Sequence, residues 1–311
     1  MGFLGRDHGG DLDVAVARFG GSRADWIDLS TGINPVPYPL PEISAEAWTA
    51  LPDRTAQDGL LAAARQFWRV PEEAGIVAAP GASALIAQIP RLAPFGRVRI
   101  PGPTYNEHAA AFAAGGWVQV DGAAEAQVIV HPNNPDGRLW SWDDANTALR
   151  VIDESFCDTV PEVSFVQHSS VPGTIILKSF GKFWGLAGMR LGFAIGAPDL
   201  CARLGAMLGP WAVPGPALEV GTAALRDEGW AQATRARLAR DAVRMDAVMG
   251  AKGATLVGGT DLFRLYDVGD AQAMQARLAE ARIWSRVFPY SAAWLRLGLP
   301  PAHGWDQLEA A

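Results

Sequence analysis

The sequence predicts an α/β fold in which a mixed, mostly parallel seven-stranded sheet carries helices on both faces, plus a smaller α+β domain. From about residue 55, strand-like and helical segments alternate, which is typical of a sheet built from βα units. The last third differs, since helical patterns around 217–250 precede alternating strands near 255–265 and 294–299. We therefore expect two domains, a large one over 45–225 and a small one over 1–44 and 226–311.

Each predicted strand of the large sheet is a short apolar run bounded by glycine, proline or polar residues. The runs are Gly75–Ala79, Val98–Ile100, Trp117–Val120, Val128–Val130, Leu149–Ile152, Ile175–Leu177 and Leu191–Ile195. Helices are predicted between them: residues 56–69 have helical spacing, and Ala82–Leu92 and Tyr105–Ala114 are rich in alanine, the best helix former.

Composition and charge exclude several classes of protein. The formal charge of −7 gives no electrostatic reason to expect nucleic acid or an anionic membrane as a partner, so an anionic substrate needs a local cluster of arginines. No apolar run approaches the ~20 residues of a membrane span, and the polar, acidic start of the chain is unlike a secretory signal. Cys157 and Cys201 lack metal-ligand spacing. We expect a cytoplasmic protein with buried thiols and no metal site.

The most informative segment is residues 176–193, ILKSFGKFWGLAGMRLGF. Lys182 follows a predicted strand and a short Ser/Gly loop, and Arg190 lies eight residues further on. Partial desolvation among apolar and small residues favours the neutral amine, which is the form that attacks an aldehyde. A lone lysine in a glycine-rich turn is more often a surface residue, so the assignment depends on its surroundings.

This segment closely resembles the signature of fold-type I pyridoxal-phosphate (PLP) enzymes, in the branch of histidinol-phosphate aminotransferase and threonine-phosphate decarboxylase. The resemblance implies that Lys182 holds PLP as an imine and that Ser179 and Arg190 grip the cofactor phosphate. Arginine suits that role because its planar fork pairs with two phosphate oxygens.

Further segments resemble the family in the expected order. Gly81, Ala82 and Ser83 follow a strand and open a helix, where free backbone N–H groups and the positive end of the helix dipole attract a phosphate. The bland alternative is a capped helix. Tyr105, in Pro-Thr-Tyr, matches the aromatic residue that stacks on the pyridine ring, although a lone tyrosine is usually a packing residue.

Two polar residues at predicted strand ends complete the cofactor set. Asn134, in the turn HPNNPDG, matches the residue that hydrogen-bonds the pyridine O3′, and a proline-rich turn with local asparagine capping is the alternative. Asp153 matches the carboxylate that keeps the pyridine nitrogen protonated, so that the ring accepts electrons from the substrate. A solvated strand edge is the alternative for Asp153.

On the substrate side, the resemblance assigns Arg296 to the α-carboxylate and Arg286 to the substrate phosphate. Near the N-terminus, the segment LSTGINP resembles the loop over the substrate, in which Asn34 is the candidate contact beside Gly32. Arg6 and His8 resemble the N-terminal arm of the decarboxylases and are candidates for the substrate phosphate, although a lone N-terminal histidine is more often a solvated residue.

The resemblance covers nearly the whole chain and favours the decarboxylase. The implied reaction is loss of CO2 from O-phospho-L-threonine, which gives (R)-1-aminopropan-2-yl phosphate for cobalamin biosynthesis. An aminotransferase acting on histidinol phosphate or a related phosphorylated amine is the alternative, and a non-catalytic PLP-binding regulator is a distant one. The family also implies a homodimer.

Three departures from the family pattern stand out. Phe156 replaces a tyrosine that hydrogen-bonds O3′ in many relatives, and Leu51 replaces a tyrosine that reaches the PLP of a dimer partner. The stretch from Gly137 to Asp153 is shorter than the family pattern, which predicts a trimmed helix on the sheet surface.

Overall fold

A computed structural model describes residues 8–142 and 147–311 of the chain. Contacts divide these residues into two compact units. The large unit comprises Pro37–Asn134 and the described residues of Arg138–Ala233; the small unit comprises the described residues up to Val36, with Pro135–Gly137 and Thr234–Ala311. The domain boundaries read from the sequence, at residues 44 and 225, stay a prediction.

The secondary structure follows the alternation of patterns in the sequence. In the described parts of the chain the α-helices are α1 (Leu12–Phe19), α2 (Ala45–Thr49), α3 (Arg54–Phe67), α4 (Ala82–Gln88), α5 (Asn106–Ala114), α6 (Pro198–Leu208), α7 (Gly215–Arg226), α8 (Glu228–Ala251), α9 (Ala271–Glu280) and α10 (Trp305–Ala310). The strands are β1 (Ile27–Asp28), β2 (Gly75–Ala79), β3 (Arg97–Arg99), β4 (Val118–Gln119), β5 (Ala126–Val130), β6 (Leu149–Asp153), β7 (Thr174–Ser179), β8 (Gly192–Gly196), β9 (Thr255–Thr260), β10 (Phe263–Asp267), β11 (Ile283–Trp284), β12 (Arg286–Phe288) and β13 (Ser291–Gly298).

The large unit is built on a seven-stranded sheet of order β2-β8-β7-β6-β5-β3-β4. β8 runs antiparallel to both of its neighbours, and the other neighbouring strands are parallel. Every residue of β6 and of β8 is buried, as expected where helices cover both faces of a sheet. The predicted mixed, mostly parallel sheet is confirmed, and all seven predicted strands belong to it.

Local chemistry sets the ends of the helices. The predicted helix over 56–69 begins at Arg54, because the Asp53 carboxylate accepts a hydrogen bond from the backbone N–H of Ala56 (2.8 Å) and caps it. The predicted helix over 82–92 ends at Gln88 and continues as a 3-10 turn that contains Pro90, which has no N–H to donate. Among the described residues, none of the helices is both long and apolar enough to cross a membrane.

The small unit contains a four-stranded antiparallel sheet of order β12-β13-β10-β9 and the short parallel pair β1 and β11. The predicted strand region near 255–265 is two strands, because a turn at Asp261 and Leu262 separates β9 from β10. Leu262, Phe263 and Leu265 are buried here and form part of the core of this unit.

Candidate active site

A cavity of about 120 Å³ lies in the large unit, where β5, β6 and β7 end. The carboxyl ends of parallel strands are where α/β sheets bind ligands. The lining residues are Ala82, Ser83, Ile86, Tyr105, Val130, Asn134, Asp153, Ser155, Phe156, Ser179, Gly181, Lys182, Ala187 and Arg190. The cavity thus brings together eight of the nine cofactor-binding residues predicted from the sequence, and the ninth, Gly81, is adjacent to Ala82.

Lys182 reaches the cavity from the loop after β7. The chain turns sharply there: the backbone N–H of Gly181 donates to the Ser179 hydroxyl (3.3 Å), and Gly185 N–H donates to the carbonyl of Lys182 (3.1 Å). The Lys182 ammonium lies 5.5 Å from the centre of the Phe156 ring. Lys182 is half-buried, and partial burial of this kind favours the nucleophilic form of an amine.

Asp153 ends β6, and both of its carboxylate oxygens accept hydrogen bonds. Oδ1 accepts from the backbone N–H (3.0 Å) and the hydroxyl (2.5 Å) of Ser155, and Oδ2 lies 2.8 Å from Nε2 of His108. Burial acts to raise the pKa of Asp153, but the bonds from His108 and Ser155 outweigh it and hold the pKa below its ordinary value. The carboxylate is therefore ionised at neutral pH.

Sequence reasoning missed His108, which is buried in the first turn of α5. Its ring lies edge-on to the ring of Tyr105, with centroids 6.0 Å apart. A spacing of three residues puts Tyr105 and His108 on one side of a helix start, but no sequence pattern pairs His108 with Asp153, 45 positions further on. His108 links the predicted ring-stacking residue to the predicted pyridine partner.

Asn133, also missed, ties together the loops that carry Tyr105 and Asn134. Its Oδ1 accepts from the Thr104 hydroxyl (2.7 Å), and its Nδ2 donates to the carbonyl of Pro103 (3.0 Å). Asn133 is fully buried, whereas Asn134 is half-buried and lines the cavity. The two asparagines of the turn therefore have different surroundings.

The phosphate end of the cavity is formed where α4 begins. Gly81 has φ +84°, and a Cβ there would lie 2.5 Å from Nη2 of Arg190, so the guanidinium packs directly against its backbone. Arg190 itself adopts the left-handed conformation (φ 54°), and its Nη1 donates to the carbonyl of Ala187 (3.1 Å). A guanidinium beside a helix start, with the Ser83 and Ser179 hydroxyls on the same cavity, fits a phosphate.

Taken together, these groups are the set that PLP requires. They provide an amine for the aldehyde, an ionised carboxylate for the pyridine nitrogen, an amide for O3′ and an arginine with hydroxyls for the phosphate. The residues present therefore fit this cofactor.

The two predicted substrate arginines are direct neighbours in the small unit. Arg286 of β12 and Arg296 of β13 are paired across the antiparallel ladder. Arg296 is buried, and its Nη2 donates to the carbonyl of Ser30 (2.6 Å).

The other described substrate candidates, Asn34, Gly32 and His8, also belong to the small unit. Asn34 is buried, and its Oδ1 accepts from the backbone N–H of Val36 and from the guanidinium of Arg237, a contact that the sequence did not predict. Gly32 is buried and His8 is exposed. Arg6 lies outside the described residues. The substrate roles of these residues stay predictions.

The structure shows the surroundings of the residues that depart from the family pattern. Phe156 is buried and lines the cavity, and Leu51 is exposed over 66% of its surface. Of the short stretch between Gly137 and Asp153, residues 143–146 lie outside the described part, and the described residues carry no helix.

Comparison with known proteins agrees with this geometry. Residues 24–311 match the family described as aminotransferase class I and II. The chain is 40% identical to a threonine-phosphate decarboxylase of Sinorhizobium sp., over 96% of this chain and 95% of the relative, and 40% identical to one of Pseudomonas aeruginosa, over 98% and 96%. Its fold resembles the crystal structure of histidinol-phosphate aminotransferase from Sinorhizobium meliloti in complex with pyridoxal-5'-phosphate (TM-score 0.80, 19% identity, 96% and 92% covered).

Proposed function

Because this chain belongs to the aminotransferase class I and II family, we propose that it is a PLP-dependent carboxy-lyase, a threonine-phosphate decarboxylase of cobalamin biosynthesis. The substrate is O-phospho-L-threonine, and the products are CO2 and (R)-1-aminopropan-2-yl phosphate. The choice of reaction follows the two decarboxylases that match this chain over nearly its whole length. The structure from Sinorhizobium meliloti, at 19% identity, supports only the fold.

The observation that carries the proposal is that Lys182 and Asp153 line the same cavity. PLP, when bound, supplies an electron sink for the bond that breaks at the substrate Cα. Ionised Asp153 holds a proton on the pyridine nitrogen, and this charge makes the ring a stronger sink. Arg190, Ser83 and Ser179 hold the phosphate. Tyr105, which lines the cavity, would cover the bound ring and exclude water from it.

In the decarboxylation the bond between Cα and the carboxylate carbon breaks, CO2 leaves, and a proton takes its place on Cα. Lys182 Nζ is the group of the cavity that can deliver this proton. The substrate carboxylate would have to be held in one orientation, and Arg296 is the residue we assign to that task.

The neighbouring arginines of the small unit suit a substrate with two anionic groups. O-phospho-L-threonine carries a carboxylate and a phosphate, and Arg296 and Arg286 are the residues we assign to them. Arg286 and Arg296 are paired across β12 and β13, and guanidinium groups bind both carboxylate and phosphate oxygens.

The test is a CO2 assay with purified, PLP-loaded protein and O-phospho-L-threonine, run with and without 2-oxoglutarate. We expect release of CO2 without the keto acid, and no release by the Lys182→Ala variant. Turnover that depends strictly on 2-oxoglutarate would contradict the decarboxylase and favour an aminotransferase for histidinol phosphate or a related amine. Binding of PLP without turnover of either substrate would indicate a regulator.

We also propose that the enzyme is a homodimer. Large apolar side chains are exposed on the large unit at Trp48, Leu51 and Trp211 (69%, 66% and 59% of their surface). The backbone of Ala47, next to Trp48, packs against Gly215, four residues after Trp211. Exposed apolar patches of this kind are typical of protein interfaces.

A further inference from the structure

We propose that a buried ion cluster of Lys178, Glu154 and Asp158 positions the two cofactor-binding residues Lys182 and Asp153. This inference rests on the proposed PLP site and is independent of whether the reaction is decarboxylation or transamination. The cluster fixes the ends of β6 and β7 relative to each other, from the side of the strands that faces away from the cavity.

The cluster is almost completely shielded from water. Lys178 Nζ lies 2.6 Å from Oε2 of Glu154 and 3.7 Å from Oδ1 of Asp158, and the three side chains are exposed over 2%, 0% and 4% of their surface. Both carboxylates also accept hydrogen bonds from neighbouring groups. Glu154 accepts from the Ser164 hydroxyl and from the backbone N–H of Phe165 (2.6 Å each), and Asp158 accepts from Nε1 of Trp68 (2.9 Å).

Two of the three members lie close in sequence to a cofactor-binding residue. Glu154 follows Asp153, and Lys178 lies four residues before Lys182. The backbone N–H of Glu154 donates to the carbonyl of Leu177 (3.0 Å), which extends the pairing of β6 with β7 by one residue. Successive side chains of a strand point to opposite faces, so Lys178 points away from the cavity that Ser179 lines.

Its electrostatics keep the cluster charged. Burial acts to lower the pKa of Lys178, but the negative charges of Glu154 and Asp158 outweigh it and raise the pKa above its ordinary value. Lys178 is therefore a fixed cation and not a second nucleophile. The surroundings also include His131, whose pKa is lowered mainly by burial, so it adds no positive charge at neutral pH.

A buried ion pair is seldom retained for stability alone. Desolvation offsets most of the attraction between the charges, whereas loss of one partner leaves the other buried and unpaired. The pair does, however, demand one geometry, since any other arrangement of β6 and β7 would separate the charges. This geometric requirement sets the distance between Asp153 and Lys182. PLP must reach both residues when it is bound.

The experiment compares PLP affinity with thermal stability in four variants. Lys178→Met and Glu154→Gln each remove one partner, Lys178→Arg keeps the charge, and Arg264→Met removes an ion pair with Asp246 (2.6 Å) in the small unit as a matched control. PLP binding to the apoprotein is followed by the visible absorbance of the bound cofactor, including its pH titration, at a temperature at which circular dichroism shows each variant folded.

We expect Lys178→Met and Glu154→Gln to weaken PLP binding at least tenfold and to shift the midpoint of the absorbance titration. Lys178→Arg should restore most of the affinity. Arg264→Met should lower the melting temperature while its PLP affinity stays within twofold of the wild type. A Lys178→Met protein that is less stable yet binds PLP with wild-type affinity and an unchanged titration would overturn the proposal.

A double variant covers the case in which the single variants do not fold. Lys178→Met with Glu154→Met removes both charges of the closest pair, which proteins tolerate better than removal of one. We expect a folded protein with weakened PLP binding, and wild-type binding by this variant would refute the positioning role. Failure of the wild type to bind PLP would instead contradict the proposed function.

Discussion

At the scale of single residues, His108 allows a direct test of how Asp153 is held, because its ring is hydrogen-bonded to one oxygen of that carboxylate. We expect His108→Phe to lower the free energy of unfolding of the apoprotein by ~1.5–3 kcal/mol, the value of a hydrogen bond to a charged group. The variant should also bind PLP about tenfold more weakly, since 1.4 kcal/mol corresponds to a factor of ten. Urea unfolding and absorbance titration measure the two effects.

The matched control is His108→Gln, whose amide can donate from near the position of Nε2. We expect this variant to keep most of the PLP affinity. Equal affinity of the His108→Phe variant and the wild type would show that Ser155 alone holds Asp153 in its ionised state.

Gly81 allows a second prediction at this scale. An added methyl group would lie 2.5 Å from the Arg190 guanidinium, and the φ of +84° disfavours any side chain. We expect Gly81→Ala to destabilise the protein by ~1–2 kcal/mol and to displace Arg190, with about a tenfold loss of PLP affinity. Thermal unfolding and PLP titration are the measurements.

Gly59→Ala provides the comparison for this prediction. Gly59 lies inside α3, and an added methyl group there would meet no atom within 4 Å. Alanine should stabilise the helix by ~0.5–1 kcal/mol and leave PLP binding unchanged. Wild-type PLP affinity in the Gly81→Ala protein would argue against a role of Arg190 at the phosphate.

The sequence predicted the cofactor residues that belong to a contiguous motif or to a strand end, such as Lys182 and Asp153. It could not predict His108 or Asn133, because their contacts join segments far apart in the chain. His108 and Asp153 are separated by 45 positions, and Asn133 reaches Pro103 across 30. Periodicity describes only neighbours within one element, so such contacts require the fold.

At the scale of elements, an ion pair joins the beginnings of β3 and β5. The Glu125 carboxylate accepts from the guanidinium (2.7 Å) and from the backbone N–H (2.7 Å) of Arg97. These bonds lower the pKa of Glu125 from 4.5 to about 2. The stabilisation is therefore fully present above pH ~4.5 and is lost as the pH falls towards 2.

We expect Glu125→Gln to lower the melting temperature slightly at pH 7, since exposed ion pairs contribute little. The difference from the wild type should shrink between pH 4.5 and pH 2 and vanish at the lower end. A melting-temperature difference that stays constant over this range would contradict the role of the charge. In the background of Arg97→Gln, the effect of Glu125→Gln should be smaller, because only the backbone N–H of residue 97 still favours the carboxylate.

Five strands of the large sheet could be predicted because each has five or six residues rich in apolar side chains, and the short β3 and β4 because apolar residues flank them (Ile100, Trp117 and Val120). The short strands β1 and β11 could not, since two residues show no periodicity. The helix α9 was also missed, although Asp270 caps it by accepting from the N–H of Ala273 (3.0 Å). An aspartate before an alanine-rich run is a pattern that predicts the beginning of a helix.

At the scale of the whole molecule, the chain crosses between its two units more often than a simple division of the sequence suggests. Pro135–Gly137, the three residues that follow Asn134, belong to the small unit. Gly137 has φ +71°, and a Cβ there would lie 1.9 Å from the carbonyl oxygen of Gly259 in β9. This close approach of two backbones has no signature in composition or periodicity.

The proposed homodimer gives a prediction at this scale. We expect Trp48→Glu with Leu51→Glu to shift the protein from dimer to monomer in sedimentation velocity, because the charges would have to be buried in the interface. Val243→Glu is the control, since Val243 is equally exposed (69%) but belongs to the small unit. A wild-type protein that sediments as a monomer would disprove the dimer.

The different positions of Lys178 and Lys182 have a practical consequence for chemical labelling of lysines in this protein. Lys178 lies within β7 and is paired with Glu154, whereas Lys182 lies in the loop after β7 and lines the cavity. Small acylating reagents at neutral pH should therefore mark Lys182 and spare Lys178. Peptide mass mapping would then report directly on access to the cavity, and added cofactor should protect the labelled position.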